Sequence, residues 1–299
     1  MSWTRTRWDR SPSLLLLLSI LAFLWWPVSW GFRVKSDDRV LVFGGAQVLH
    51  GTSSSKAWVS VLESELTKKN VSVFKAGHLQ LSLADDSAVE QTLERFDEFA
   101  KDKPTVVVIL VGQDDLTKSV PVASHLLQMP IERLVVRALT GTATPPRAVV
   151  LAGTPVLWGE QYHGLNEHDK ALEDFAAILK GVALAYKCSW LDLRSPLMRW
   201  IHHSNTANQR VGVLTYDGTT LNDLGHVALS HVVLTYFETK SSYVEEDESV
   251  REMIKIVEDA TTDFAQEFNA LVLARAEQEK RLLSAPVFTG AEQIVRPSG

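Results

Sequence analysis

The sequence predicts an α/β domain, a three-layer sandwich with a five-stranded parallel sheet between two helical layers. Three observations carry this. Residues 105–111 (TVVVILV) form an almost wholly apolar, β-branched run, as expected of a strand buried on both faces. Residues 39–43 (RVLVF) form a similar run that ends on Gly44 and Gly45, so a buried strand feeds a tight glycine turn. Further apolar runs alternate with segments of helical period, and that alternation makes a parallel sheet covered on both sides.

The elements follow in order. After the first strand, Thr52–Ser55 read as a polar turn, with the serines near helix-capping positions. Trp58, Leu62 and Leu66 recur at helical spacing, with Val59 beside them. Val71–Phe74 is the second strand, running into Ala76-Gly77. Val89, Leu93, Phe96 and Ala100 define the next helix, and Lys103-Pro104 ends it. After the central strand, residues 117–130 read as loop with some helix, and Ile131–Leu139 as helix. Ala148–Ala152 is the fourth strand, ending at Gly153-Thr154-Pro155, and Trp158–Asn166 reads as a surface loop. Leu172, Phe175, Leu179 and Val182 line one face of a long helix. Trp190–Leu193 is the fifth strand. Ser195–Thr215 reads as irregular, with His202-His203 in a surface loop. Asp217-Gly218 is a turn signal, and Asn222 or Asp223 caps a helix over Leu224–Phe237.

Both ends stand outside this domain, which spans 39–238. Arg5, Arg7 and Arg10 precede the apolar run Leu14–Trp26, Pro27 breaks it, and Ser29-Trp30-Gly31 suits cleavage before Phe32. Residues 1–31 therefore read as a cleaved signal peptide or, since Trp residues favour a membrane interface, as a single-pass signal anchor. Either places the body in the secretory lumen or outside the cell, with membrane contact only through this segment. Asn70-Val71-Ser72 is an N-glycosylation acceptor that agrees with such a route. Residues 244–284 carry an acidic start and then Val250, Met253, Val257, Phe264, Phe268 and Leu271 at approximate helical period. This predicts an amphipathic helix that either packs on the domain's own surface or offers a face to a protein partner. Residues 285–299 read as a loose tail.

Composition narrows the function classes. A net charge of -6 and a pI near 5.9 exclude the basic footprint of a nucleic-acid binder. Cys188 is the single cysteine and lies in an apolar run, so no internal disulfide forms and a buried thiol is expected. His78, Asp114, Asp115 and Asp217 are residue types that suit a metal, but no ligand spacing supports one, and no cofactor is expected.

In parallel sheets ligands sit beyond the carboxyl ends of the strands. The loops to watch are therefore 44–51, 76–80, 112–116, 153–163 and 216–222. Taken together they resemble the SGNH hydrolases, also called the GDSL esterase/lipase family, over roughly Arg39–Phe237, with the flavodoxin-like sheet that this implies. Gly44-Gly45-Ala46 stands where the family reads Gly-Asp-Ser with Ser as nucleophile. Gly77 matches the glycine whose N–H enters the oxyanion hole. Gly112-Gln113-Asp114-Asp115 matches Gly-x-Asn-Asp except that Asp114 replaces the donor Asn. Asp217-Gly218-Thr219-Thr220 matches Asp-x-x-His except that Thr220 replaces the base.

The resemblance thus implies a hydrolase framework whose chemistry is altered. Ala46 has no nucleophile, Thr220 is no base at neutral pH, and an ionised Asp114 accepts hydrogen bonds and repels an oxyanion. Gly45, His78 and Gln113 are expected to line the ligand cleft, and His50 follows the first block closely. His226, six positions past Thr220, reads as a polar residue near a helix start. The leading expectation is a pseudo-hydrolase that binds an acyl or glycan ligand in the cleft, or a partner through the C-terminal helix. One alternative is a divergent ester hydrolase rebuilt on His78, Asp114 or Asp217; another is a structural subunit of a membrane-associated complex.

Overall fold

The computed structural model describes residues 32–51, 56–78, 81–118, 121–141, 144–155, 158–161, 168–239 and 247–284. The expected leader over 1–31, the turn at Thr52–Ser55, Gln80, His163, part of the acidic run and the tail over 285–299 lie outside the described residues. Among the described residues no helix is long and apolar enough to cross a membrane.

Five parallel strands, β1 (Arg39–Gly44), β2 (Ser72–Gly77), β3 (Val106–Leu110), β4 (Ala148–Ala152) and β5 (Ser189–Leu191), form one sheet in the order β2-β1-β3-β4-β5. The expected three-layer architecture is the one observed. The helices are α1 (Ala46–His50), α2 (Trp58–Thr67), α3 (Asp86–Ala100), α4 (Gln113–Leu116), α5 (Gln128–Thr140), α6 (Asp169–Tyr186), α7 (Arg194–Ser204), α8 (Asp223–Tyr236) and α9 (Glu248–Ser284).

Alternation along β1 assigns the two faces. Val40 and Val42 pack with Trp58, Leu62 and Leu66 of α2 and with α7 and α8. Leu41 and Phe43 face the other way, toward Val89 and Phe96 of α3, Ile131 of α5 and Phe175 of α6. Cys188 is buried in this second layer, and burial pushes its thiol up to about 12, so it is inert as a nucleophile. The register then fixes where the loops emerge. Gly44 pairs with Gly77 on one side and Leu110 on the other, so three loops leave the sheet at one level.

Three segments depart from expectation. Residues 195–204 were expected to be irregular, yet they belong to α7: Leu197, Trp200 and Ile201 sit at helical spacing and are buried. His202 and His203 are therefore on a helix, with His203 Nε2 3.1 Å from Glu252 of α9. The described part of the expected surface loop, residues 158–161, contains the fully buried Glu160. His226 is buried rather than a polar residue at an open helix start. The expected cap of α8 is present, with Asn222 Oδ1 accepting the Gly225 N–H at 2.9 Å.

The C-terminal helix packs on the domain for most of its length. Met253, Val257, Ala260, Thr261 and Phe268 of α9 are buried. Polar ties from Glu258 to His231 (3.0 Å) and from Arg199 to Asp263 (2.8 Å) flank that seam. Past Phe268 the helix is more open, and Leu271 and Leu273 are 44% and 50% exposed.

At the opposite end of the sheet, Asp38 holds the loop before β1. Its carboxylate accepts from Arg147, from Thr105 Oγ1 at 2.7 Å and from the Lys35 N–H at 2.6 Å. Burial pushes this carboxyl up, but the Arg147, Lys35 and Thr105 donors outweigh it, and the net position is lowered. A lowered carboxyl stabilises the fold above its unfolded value, and that stability is lost as pH falls through the folded one. The destabilisation of Asp38→Asn, measured by urea unfolding, is therefore expected to be largest at pH 6–7 and to shrink below about pH 4. A penalty independent of pH would contradict this role for the carboxylate.

Candidate functional site

The site is built where β1 turns into α1. A Cβ on Gly44 would overlap the Leu110 carbonyl oxygen, so only glycine lets β1 lie this close to β3 as it turns. The Gly45 N–H donates to that carbonyl at 3.3 Å. The Gly45 carbonyl then accepts from Val48 and Leu49, starting α1 with Ala46 as its first residue. Gly77 lets α1 lie over the end of β2, because a Cβ there would overlap the Leu49 amide.

The third block comes in from β3. Gly112 takes the left-handed conformation (φ 86°) with the Phe175 ring against the side where a Cβ would stand. This reverses the chain into α4 and places two carboxylates differently. Asp115 is fully buried and satisfied by Ser82 Oγ (2.5 Å), the Leu83 N–H (2.8 Å) and Lys118 (2.9 Å), so it braces the loop. Asp114 is half-buried and points at the first block. Its Oδ2 accepts from the Leu81 N–H at 3.0 Å and the Ala46 N–H at 3.4 Å. The same oxygen occupies the space a Cβ on Gly45 would need. Burial pushes the Asp114 carboxyl up, the two N–H groups pull it part-way back, and Asp115 adds to the rise.

The last block meets α1 from the other side. Gln47, 4% exposed, donates from Nε2 to the Thr219 carbonyl at 2.9 Å. That bond joins the first and last blocks, and no sequence signal marked Gln47 for it. Asp217 folds onto its own turn. Its Oδ1 takes the Thr219 N–H (2.8 Å), the Thr219 hydroxyl (3.0 Å) and the Thr220 N–H (2.6 Å). Its Oδ2 takes the Thr220 hydroxyl at 3.0 Å. Burial is the largest single influence and raises this carboxyl, but the bonds from Thr220 and Thr219 together prevail and lower it.

Glu160 was also missed, because one glutamate in a loop carries no pattern. It is fully buried and accepts from the N–H groups of Val213 (2.6 Å), Leu214 (2.5 Å) and Thr215 (2.6 Å) and from the Thr215 hydroxyl (2.9 Å). Thr215 Oγ1 in turn accepts from the Gly218 N–H at 3.0 Å. Glu160 thus sets the height of the turn that carries Asp217.

Gln113 is buried and its Oε1 takes the Thr154 hydroxyl at 3.4 Å, tying the loops after β3 and β4 together. His78 leaves β2 beside the site, but its ring packs edge-on against Phe99 at 5.6 Å, so the side chain is directed at α3. Burial and Arg95 lower its pKa. His226, 8% exposed, has an Nδ1 without a partner, and burial keeps its ring neutral at pH 7. Asn70 is exposed at the C-terminal side of α2, where its Nδ2 donates to Asp37 and to Ser36 Oγ.

Ala46, Gly77, Asp114 and Thr220 thus converge at one end of the sheet around α1. Four hydroxyls around the site donate to oxygen acceptors: Thr154 to Gln113, Thr215 to Glu160, Thr219 and Thr220 to Asp217. Among the described residues no group of three or more His, Cys, Asp or Glu side chains could hold a metal ion.

Fold and site together define a domain of the SGNH-hydrolase type. The family model for the GDSL-like lipase/acylhydrolase family matches residues 41–228, and the chain belongs to that family. Solved structures share the fold. An acetyl xylan esterase, AlAXEase, aligns with a TM-score of 0.56 and 20% identity, over 66% of this chain and 98% of that one. The acetylxylan esterase Axe2 from Geobacillus stearothermophilus aligns with a TM-score of 0.55 and 14% identity, over 72% and 100%. LAE5, an alpha/beta hydrolase enzyme from the metagenome of Lake Arreo, Spain, gives 0.55 and 14%, over 70% and 98%. No curated protein matches the sequence.

Proposed function

We propose that this chain is a pseudo-hydrolase of the secretory pathway, a GDSL-like domain that has kept the binding cleft and lost ester hydrolysis. The observation that carries this is the pair Ala46 and Thr220. The nucleophile position has no heteroatom, and the base position is a hydroxyl that donates to Asp217. The usual scheme needs an imidazole to take the nucleophile's proton and a third group to orient it. Here Asp217 orients threonine hydroxyls instead. Asp114 adds a second obstacle, since its carboxylate already takes the Ala46 and Leu81 N–H groups, which a developing oxyanion would otherwise use. The leader-like residues 1–31 and the exposed Asn70 acceptor support lumenal or extracellular delivery.

The test is direct. The purified domain is expected to hydrolyse p-nitrophenyl acetate no faster than buffer at pH 7 and to take no label from a serine-directed fluorophosphonate. Turnover that survives Ala46→Gly but is abolished by Asp114→Ala or His226→Ala would instead establish a hydrolase with a rebuilt site.

A further inference from the structure

Taking the pseudo-hydrolase reading as its basis, we infer that the ligand held at this cleft carries a primary ammonium group, bound by the Asp114 carboxylate and the Gln47 side-chain oxygen. The polarity of the site is the starting point. A hydrolase of this framework presents donors to an oxyanion. Here the first block has lost its carboxylate at Gly45 and the third has gained one at Asp114, which stands over the start of α1. Among the described residues the donors to Asp114 reach Oδ2 and none reaches Oδ1. A half-buried carboxylate with one oxygen open calls for a cationic donor.

Gln47 supplies the second, independent observation. Its amide is oriented without ambiguity, because the Thr219 carbonyl can only accept, so Nε2 must face it. That leaves Oε1 buried with no partner. A buried acceptor left unsatisfied costs about 1–3 kcal/mol, which a ligand N–H recovers. Gln47 follows Ala46 directly, and Ala46 N–H is on Asp114, so the two acceptors belong to contacts of neighbouring residues at the start of α1. An ammonium has three donors on one centre and can engage both oxygens. A divalent metal is a poorer match, since it takes six or more oxygens or a set of His and carboxylate ligands, and no such group is found among the described residues.

The experiment is a titration of the unmodified protein, followed by calorimetry and by amide chemical shifts, with four probes: ethanolamine, glucosamine, N-acetylglucosamine and acetate. Ethanolamine or glucosamine is expected to saturate at a Kd on the order of 1 mM, as suits a fragment of few atoms. Binding of both assigns recognition to the ammonium alone, and binding of glucosamine only adds the sugar hydroxyls. N-Acetylglucosamine, which keeps the sugar and loses the charge, should bind at least ~10-fold more weakly. Asp114→Asn, close in shape and uncharged, should lose binding by a similar factor while its circular dichroism and melting remain native-like. Gln47→Met should weaken binding by a few-fold. Equal affinity for glucosamine and N-acetylglucosamine, preference for acetate, or wild-type affinity in a folded Asp114→Asn protein each overturns the inference. Absence of saturable binding by either amine does the same. Ester turnover is measured separately, so an active enzyme that binds no amine and an inactive protein that binds no amine are distinguishable.

Discussion

Glu160→Ala is expected to lose about 4 kcal/mol or more of stability, lowering the melting temperature by roughly 10 °C. The wild-type carboxylate is fully buried and takes three backbone N–H groups and one hydroxyl, all from Val213–Thr215. Removing it leaves the buried Leu214 and Thr215 N–H groups and the part-buried Val213 N–H without their acceptor, and each unpaired buried donor costs about 1–3 kcal/mol before relaxation. Glu160→Gln should fall between the two. Oriented with its oxygen at the Oε1 position it keeps the bonds to Leu214 and Thr215, but its amide then faces the Val213 N–H. The damage should spread to the ligand site, because Thr215 bonds Gly218 and the Asp217 turn depends on that height. Thermal denaturation of the three proteins checks the order Glu, Gln, Ala. Equal stability of Glu160→Ala and wild type would show that the loop does not depend on this carboxylate.

The second large effect is a coupling between Gly45 and Asp114. Gly45→Ala is expected to destabilise the otherwise unmodified protein by about 1–3 kcal/mol, because the new methyl overlaps Asp114 Oδ2. That oxygen cannot simply swing away, since Leu81 and Ala46 hold it. In an Asp114→Ala background the same change should be neutral or stabilising. Gly45 has φ -82° and ψ -149°, outside the left-handed region, so the methyl adds no positive-φ strain and also reduces the freedom of the unfolded chain. A double-mutant cycle by urea unfolding should give a coupling energy of about 1 kcal/mol or more; strict additivity would refute the contact. The coupling bears on any attempt to restore hydrolysis. Gly45→Asp, Ala46→Ser and Thr220→His rebuild the family blocks only together with Asp114→Asn, because carboxylates at 45 and 114 would stand against one another and repel.

Much of the fold was visible in the chain because its signals are local. The β-branched run before Gly112, the glycines after β1 and the apolar stripe Leu172–Val182 each state an element by composition and period. The Asn222 cap is equally local. The helix α7 was missed for a related reason. Its four buried residues, Pro196, Leu197, Trp200 and Ile201, are interspersed with Arg199, His202 and His203, and only packing against α8 and α9 shows which face is inside. Residues 158–161 read as surface because they lack periodicity, whereas Glu160 is buried by partners more than fifty positions away.

The sequence by itself determined the α/β architecture and the family framework, and it set Ala46 and Thr220 where the resemblance expects a nucleophile and a base, since these depend only on residue type and order. Tertiary structure alone decided what the substituted positions do instead. That Asp114 takes the Ala46 amide, that Asp217 is spent on two threonines, that Gln47 bridges two distant blocks and that Glu160 carries the last loop are all contacts between segments remote in the chain. Hydrogen bonds are set by distances of about 3 Å between atoms, and no pattern along one dimension encodes such distances.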